Sequence, residues 1–272
     1  MVKPKVLYVT QEVKPYLPST HMSTIGRQLP QSIQESKKEI RVFMPRFGLI
    51  NERRNQLHEV IRLSGMNLII NDMDHPLIIK VASIQSARMQ VYFIDNEDYF
   101  HRKFVFRSKK GEFFPDNDER AIFYARGVIE TVKKLSWAPD IIHIHGWFGS
   151  LVPMYLRRIF QDNPLFTDSK IVLSIYNDGF DETLDDNFIE KLQHEGLDSE
   201  DMLHYKEKSY VGMLKSAIDL SDAVIFAETD LNPEIEEYAN NSGKKILNYV
   251  EGDACAKAYN NFYDELLEKE EE

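Results

Sequence analysis

Several short apolar runs in this sequence end in side chains that can do chemistry. Val6 to Val9 lead into a loop carrying Ser19, Thr20 and His21; Ile141 to Ile144 lead into His145, with Trp147 close behind. Lys170 to Ile175 lead into Tyr176 and Asn177. Polar groups at the carboxyl ends of parallel strands, beside the N-terminus of the next helix, are placed to bind phosphates or sugars. Each also has a plainer reading. His145 is either a core or helix-capping histidine or a ligand-facing one, and Trp147 either stacks on a ligand through its apolar ring or packs the interior. His143, among apolar neighbours, reads as a satisfied core histidine.

Other clusters carry less. The carboxylates Asp181, Glu182, Asp185, Asp186, Glu190, Glu195, Asp198, Glu200 and Asp201 are spread along a polar stretch. Acid/base work needs converging, partly desolvated carboxyls, so a solvated surface is expected, and no calcium-loop spacing is present. Arg102, Lys103, Arg107, Lys109 and Lys110 alternate with Phe100, Phe104 and Phe106 outside any recognised nucleic-acid module, which predicts a solvated loop. Cys255, the one cysteine, has no disulfide or zinc partner and reads as a buried or incidental thiol.

Composition fits a soluble globular protein, with 43% hydrophobic and 28% charged residues in 272. A net charge of −11 argues against nucleic-acid binding, and much of it sits in a tail from Asp264 to Glu272. No apolar run reaches the roughly 18 residues that span a bilayer, and no signal-peptide pattern opens the chain. The expected address is cytoplasmic, without membrane or metal.

The elements that must hold these groups follow an α/β order. Val6 to Val9, Ile40 to Pro45, Ile141 to Ile144, Lys170 to Ile175 and Ala223 to Ala227 read as buried parallel strands, with Ser19 or Thr20 capping the helix after the first. Val60 to Leu63, Met66 to Ile70, Leu77 to Ala82 and Met89 to Ile94 follow one another without helical spacers, which predicts an antiparallel insertion. A helix is expected from Pro115 to Leu135, capped by Asp116 or Asn117, and further helices over Met154 to Phe160, Tyr210 to Asp219, Leu231 to Tyr238 and Lys257 to Glu268.

Glu12-Val-Lys-Pro15, the strand ending Met44-Pro45-Arg46-Phe47-Gly48, Asp116-Asn117 with Arg120, His145-Gly146-Trp147 and Ser174-Ile175-Tyr176-Asn177 together resemble the motifs of bacterial glycogen synthases and plant starch synthases, family 5 glycosyltransferases of the two-lobed GT-B architecture. The resemblance covers roughly residues 4 to 230. It implies a doubly wound parallel sheet, a single GT-B N-terminal Rossmann-like lobe over residues 1–230, with an antiparallel β insertion. Residues 231–272 would be a helical segment packing back on the lobe and ending in an acidic tail.

Departures from the family pattern are concentrated at the ligand-binding loops. The family's Lys-x-Gly-Gly-Leu reads Pro18-Ser19-Thr20-His21-Met22 here, its His-Asp-Trp-His reads His145-Gly146-Trp147-Phe148, and its Thr-Ile-His-Asn reads Ser174 to Asn177. By family position, Ser19, His145, Trp147, Tyr176 and Asn177 are the candidate substrate-binding residues; no catalytic residue and no cofactor is assigned. The resemblance implies a glycogen/starch synthase-like protein of α-glucan metabolism that lacks autonomous glucosyltransferase activity and binds glucan or a protein partner as a pseudoenzyme. The alternative is a working or split glycogen synthase, a hexosyltransferase moving glucose from ADP-glucose or UDP-glucose to an α-1,4-glucan, with another protein supplying the second lobe.

Overall fold

A computed structural model describes residues 3–193, 196–198 and 202–268. Its centre is the parallel strand β1 (Lys5–Thr10), flanked by β2 (Glu39–Pro45) and β7 (Ile141–His145). Between those two in sequence come β3 (His58–Glu59), β4 (Met66–Ile70), β5 (Met73–Ile84) and β6 (Met89–Asp95); β8 (Lys170–Ile175), β9 (Ala223–Phe226) and β10 (Lys245–Leu247) complete the set. The order across the sheet is β10-β9-β8-β7-β1-β2-β6-β5-β3, with β4 paired to β5 off that path. Chain order reverses direction at β1, which places a switch-point crevice over the carboxyl ends of β1 and β7.

The helices are α1 (His21–Glu35), α2 (Glu52–Asn55), α3 (Glu97–Phe100), α4 (Asn117–Lys134), α5 (Val152–Met154), α6 (Phe188–Gln193), α7 (Tyr210–Leu220), α8 (Pro233–Asn241) and α9 (Ala254–Leu267). Strands β1, β7, β8 and β9 are buried on both faces almost throughout, and their registers are level. Thr10 pairs with His145, His145 with Ser174, and Ile175 with Phe226, so the residues that follow leave the sheet side by side.

Five details differ from the expected elements. Val60 to Leu63 is a turn, with β3 just before it. Strand β6 belongs to the parallel core through β2 as well as to the antiparallel insertion through β5. The helix expected over Met154 to Phe160 is present as a π-helical turn over Tyr155–Ile159 rather than as regular α-helix. The segment after residue 230 is not wholly helical, since β10 extends the sheet beside β9. Asp116 stands at the start of α4 without capping it, its carboxylate held by Arg102 at 2.6 Å.

Two loops are better anchored than their composition predicts. In the basic stretch Lys103, Arg107, Lys109 and Lys110 are exposed while Arg102 is half-buried against Asp116, Phe100 is buried and Phe106 lies against Trp147 and Phe148. In the acidic stretch Lys191 is buried against Asp118 and Glu119, each at 2.8 Å, with Asp185 at 3.2 Å. Glu195, Glu200 and Asp201, and Glu270 to Glu272 of the tail, lie outside the described residues. No helix among the described residues is long and apolar enough to cross a membrane.

Candidate functional site

The loops after β1, β7, β8 and β9 meet over the crevice. Thr20 is the N-cap of α1. Its hydroxyl oxygen accepts from the Ser23 N–H at 2.9 Å, and the Ser23 hydroxyl oxygen accepts from the Thr20 N–H at 2.8 Å. This reciprocal box satisfies donors that a helix start otherwise leaves open to an anion. The Thr20 hydroxyl in turn donates to the Glu12 carboxylate, and the His21 Nε2 lies 3.0 Å from the Ala227 carbonyl, tying α1 to the end of β9. Met22 packs with Tyr176 and Ala227 beneath it.

The turn after β7 is closed in the same manner. Gly146 sits at φ +80°, and a Cβ there would fall 2.6 Å from both the Asp178 Oδ2 and the Gln11 Oε1. Those two oxygens accept the first N–H groups of the turn, Trp147 to Asp178 at 3.0 Å and Phe148 to Gln11 at 3.1 Å. After β8, the Asn177 N–H donates to Glu228 at 2.7 Å. Backbone donors at three adjacent strand ends are thus occupied by the protein's own side-chain oxygens.

Electrostatics at the mouth are acidic. Burial is the main cause that pushes the Asp178 carboxyl up to about 7, against the opposing pull of the Trp147 N–H and the Tyr210 hydroxyl. Burial also raises Glu12, opposed by the Thr20 hydrogen bond and reinforced by the neighbouring Glu228 charge. Lys14 lies nearby and is exposed, its ammonium 3.3 Å from the Ser19 Oγ.

The candidates named from sequence separate into two groups. Ser19 and Asn177 are exposed on the loops. His145, Trp147 and Tyr176 are 0%, 1% and 1% exposed and reach no solvent in this arrangement. The His145 Nδ1 is 2.8 Å from the Tyr176 hydroxyl and its Nε2 is 3.2 Å from His143 Nδ1. His143 is held further by the Tyr263 hydroxyl at 2.5 Å and the Ser174 hydroxyl at 2.7 Å. Burial drives the His145 imidazole down to about 3, and burial together with the His145 neighbour drives His143 well below the usual range, so both rings are neutral. Trp147 is enclosed by Phe106, Phe148 and Phe180, with ring centroids 4.8 to 5.2 Å away.

Gln11, Asp178, Glu228 and Tyr210 shape the crevice and were not singled out as site residues from sequence. Gln11, Asp178 and Glu228 had one available signal: each follows the end of a parallel strand within a few residues.

Comparisons with known proteins place this architecture. A family model described as "Starch synthase catalytic domain" matches residues 5–248, a span that runs past residue 230 and takes in α8 and β10. A glycogen synthase of Chlorobium luteolum is 32% identical over 277 residues, covering 97% of this chain and 56% of that protein. The glycogen synthase of Chlorobium phaeovibrioides is 33% identical over 240 residues, covering 88% of this chain and 48% of its own. The chain therefore spans about half the length of these curated relatives. Among solved structures, the catalytic domain of starch synthase IV from Arabidopsis thaliana, bound to ADP and acarbose, superposes with a TM-score of 0.74 at 16% identity, covering 94% of this chain and 53% of that one. That likeness gives the fold of a GT-B glycosyltransferase lobe. With the family match spanning most of the polypeptide, the chain belongs to the starch synthase catalytic domain family.

Proposed function

We propose that this glycogen synthase-like lobe serves α-glucan metabolism by binding glucan, and that it does not transfer glucose by itself. The observation that carries the reading is the closure of the strand-end donors by Thr20, Gln11, Asp178 and Glu228. Transfer from a sugar nucleotide needs cations and open donors to stabilise the departing diphosphate. Here the donors are filled, and the side chains that fill or flank them include the carboxyls of Glu12, Asp178 and Glu228 where cations would be needed. Removing one such stabiliser commonly costs about 3 to 4 kcal/mol of barrier, so replacing several leaves little catalysis.

The purified chain, incubated with ADP-glucose or UDP-glucose and glycogen, is expected to release no nucleotide above background while remaining bound to glycogen. Steady turnover by the chain alone overturns the proposal.

A second reading follows from the relatives' greater length: a synthase whose cleft is completed by another polypeptide segment or protein. Turnover that appears only when the second lobe of a relative is added favours that reading. The soluble composition and the absence of a membrane-spanning helix among the described residues are consistent with a cytoplasmic site of action.

A further inference from the structure

A groove of about 630 Å³ runs along the outer face of α1, walled on its other side by residues 249–256. That second wall lies just beyond the span matched by the family model. Its floor is apolar, with Leu29 and Cys255 buried beneath it. Its upper edges carry Gln28 and Gln31 from α1 and Glu251 and Asp253 from the opposite wall.

At one end two rings face the opening. His21 is fixed by its contact with the Ala227 carbonyl, and Tyr249 stands 6.1 Å from it at 56°. Among the described residues, no group hydrogen-bonds the Gln28 amide or the Tyr249 hydroxyl, so both are available to a ligand. Gln31 donates to Glu35 at 3.1 Å, which leaves its amide oxygen free to accept.

The chemistry of the lining selects among ligands. No lysine or arginine lines the groove among the described residues, and Glu251 and Asp253 repel phosphate. A purely apolar peptide would leave the amides and carboxylates without partners. A neutral sugar chain meets both demands, because its ring faces are apolar and its edges are a row of hydroxyls that donate and accept. Tyr249 offers a flat apolar surface with a polar tip, and the amides and carboxylates match the hydroxyl edges.

We infer that the groove between α1 and residues 249–256 is a binding site for a neutral oligosaccharide of glucose units, with Tyr249 as its stacking platform and Gln28 as a hydroxyl partner. The assignment rests on the glucan-binding reading above and gives it a location.

The test titrates maltoheptaose into the full chain, followed by amide chemical shifts, and compares wild type with Tyr249→Ala, Tyr249→Phe and Gln28→Ala. Urea midpoints report whether each variant folds; Gln28 is an exposed helix residue whose alanine variant keeps the fold. Wild type is expected to bind with shifts concentrated at residues 24–32 and 249–256. Tyr249→Ala and Gln28→Ala are expected to weaken binding about ten-fold, and Tyr249→Phe, which keeps the ring, by less. If wild type binds and both alanine variants match it, the groove assignment falls while the glucan-binding reading stands. If wild type binds neither maltoheptaose nor glycogen, the reading falls and the groove with it.

Discussion

Gly146 shows how tightly single residues set this site. At φ +80°, with two oxygens where a Cβ would go, it tolerates no side chain. Gly146→Ala is expected to cost about 1 to 3 kcal/mol in urea unfolding. Asp178 carries a testable charge. Its folded carboxyl titrates near 7, well above an unfolded aspartate, so ionisation opposes folding in full above about pH 7 and the penalty disappears as pH falls toward the unfolded value. Asp178→Asn should therefore stabilise the protein by about 1 to 3 kcal/mol at pH 8, with the gain fading through pH 6 and gone near pH 4. Unfolding curves at those three pH values check it. The histidines act in the opposite sense: their neutral folded rings add stability that is complete above the unfolded histidine value and is lost as pH falls, for His145 toward about 3. The His145 ring is accordingly expected to show no protonation shift between about pH 8 and 5 by NMR.

At the scale of elements, α9 holds the histidine pair in place. Tyr263 bonds His143, Lys38 reaches Asn260 at 2.8 Å and Asp264 at 2.6 Å, and the helix lies against α1. Tyr263→Phe removes the hydroxyl's buried bonds to His143 and Tyr8 and should cost about 1 to 2 kcal/mol, whereas Tyr263→Ala also opens a cavity and should cost about 3 to 5 kcal/mol. The unfolding midpoints of the two variants separate bonding from packing. This helix also explains why part of the site was illegible in the sequence. His143 and His145 alternate along β7 and so share one face, but nothing local says what covers that face. The cover comes from residues more than a hundred positions away. The parallel strands are legible because each is a β-branched apolar run bounded by turn residues, and the start of α1 is legible from Ser19 and Thr20, of which Thr20 is the cap. Strand β6 was read into the insertion because its neighbours in sequence are antiparallel, while its parallel bond to β2 is a long-range contact. The π-turn at Tyr155–Ile159 leaves no mark in hydrophobic period.

Across the whole molecule, charge and topology act together. A net charge of −11 and the acidic crevice mouth combine against any polyanionic ligand. ADP is expected to bind the isolated chain with a dissociation constant above about 1 mM by calorimetry, and micromolar affinity would show that the closed donors open to a nucleotide. The sheet ends in very short strands on both sides, β3 with two residues and β10 with three, which limits edge-to-edge pairing of chains.

The plugging of the strand-end amides by side chains from neighbouring loops also governs how this scaffold could be rebuilt. Introducing an aspartate at Gly146 alone would set two acids in one small volume on a strained backbone. Shortening Asp178 alone would strip the Trp147 amide of its acceptor. Each of these two exchanges made alone is thus uphill, so libraries that vary positions 11, 146 and 178 jointly are expected to yield folded variants that stepwise mutagenesis discards.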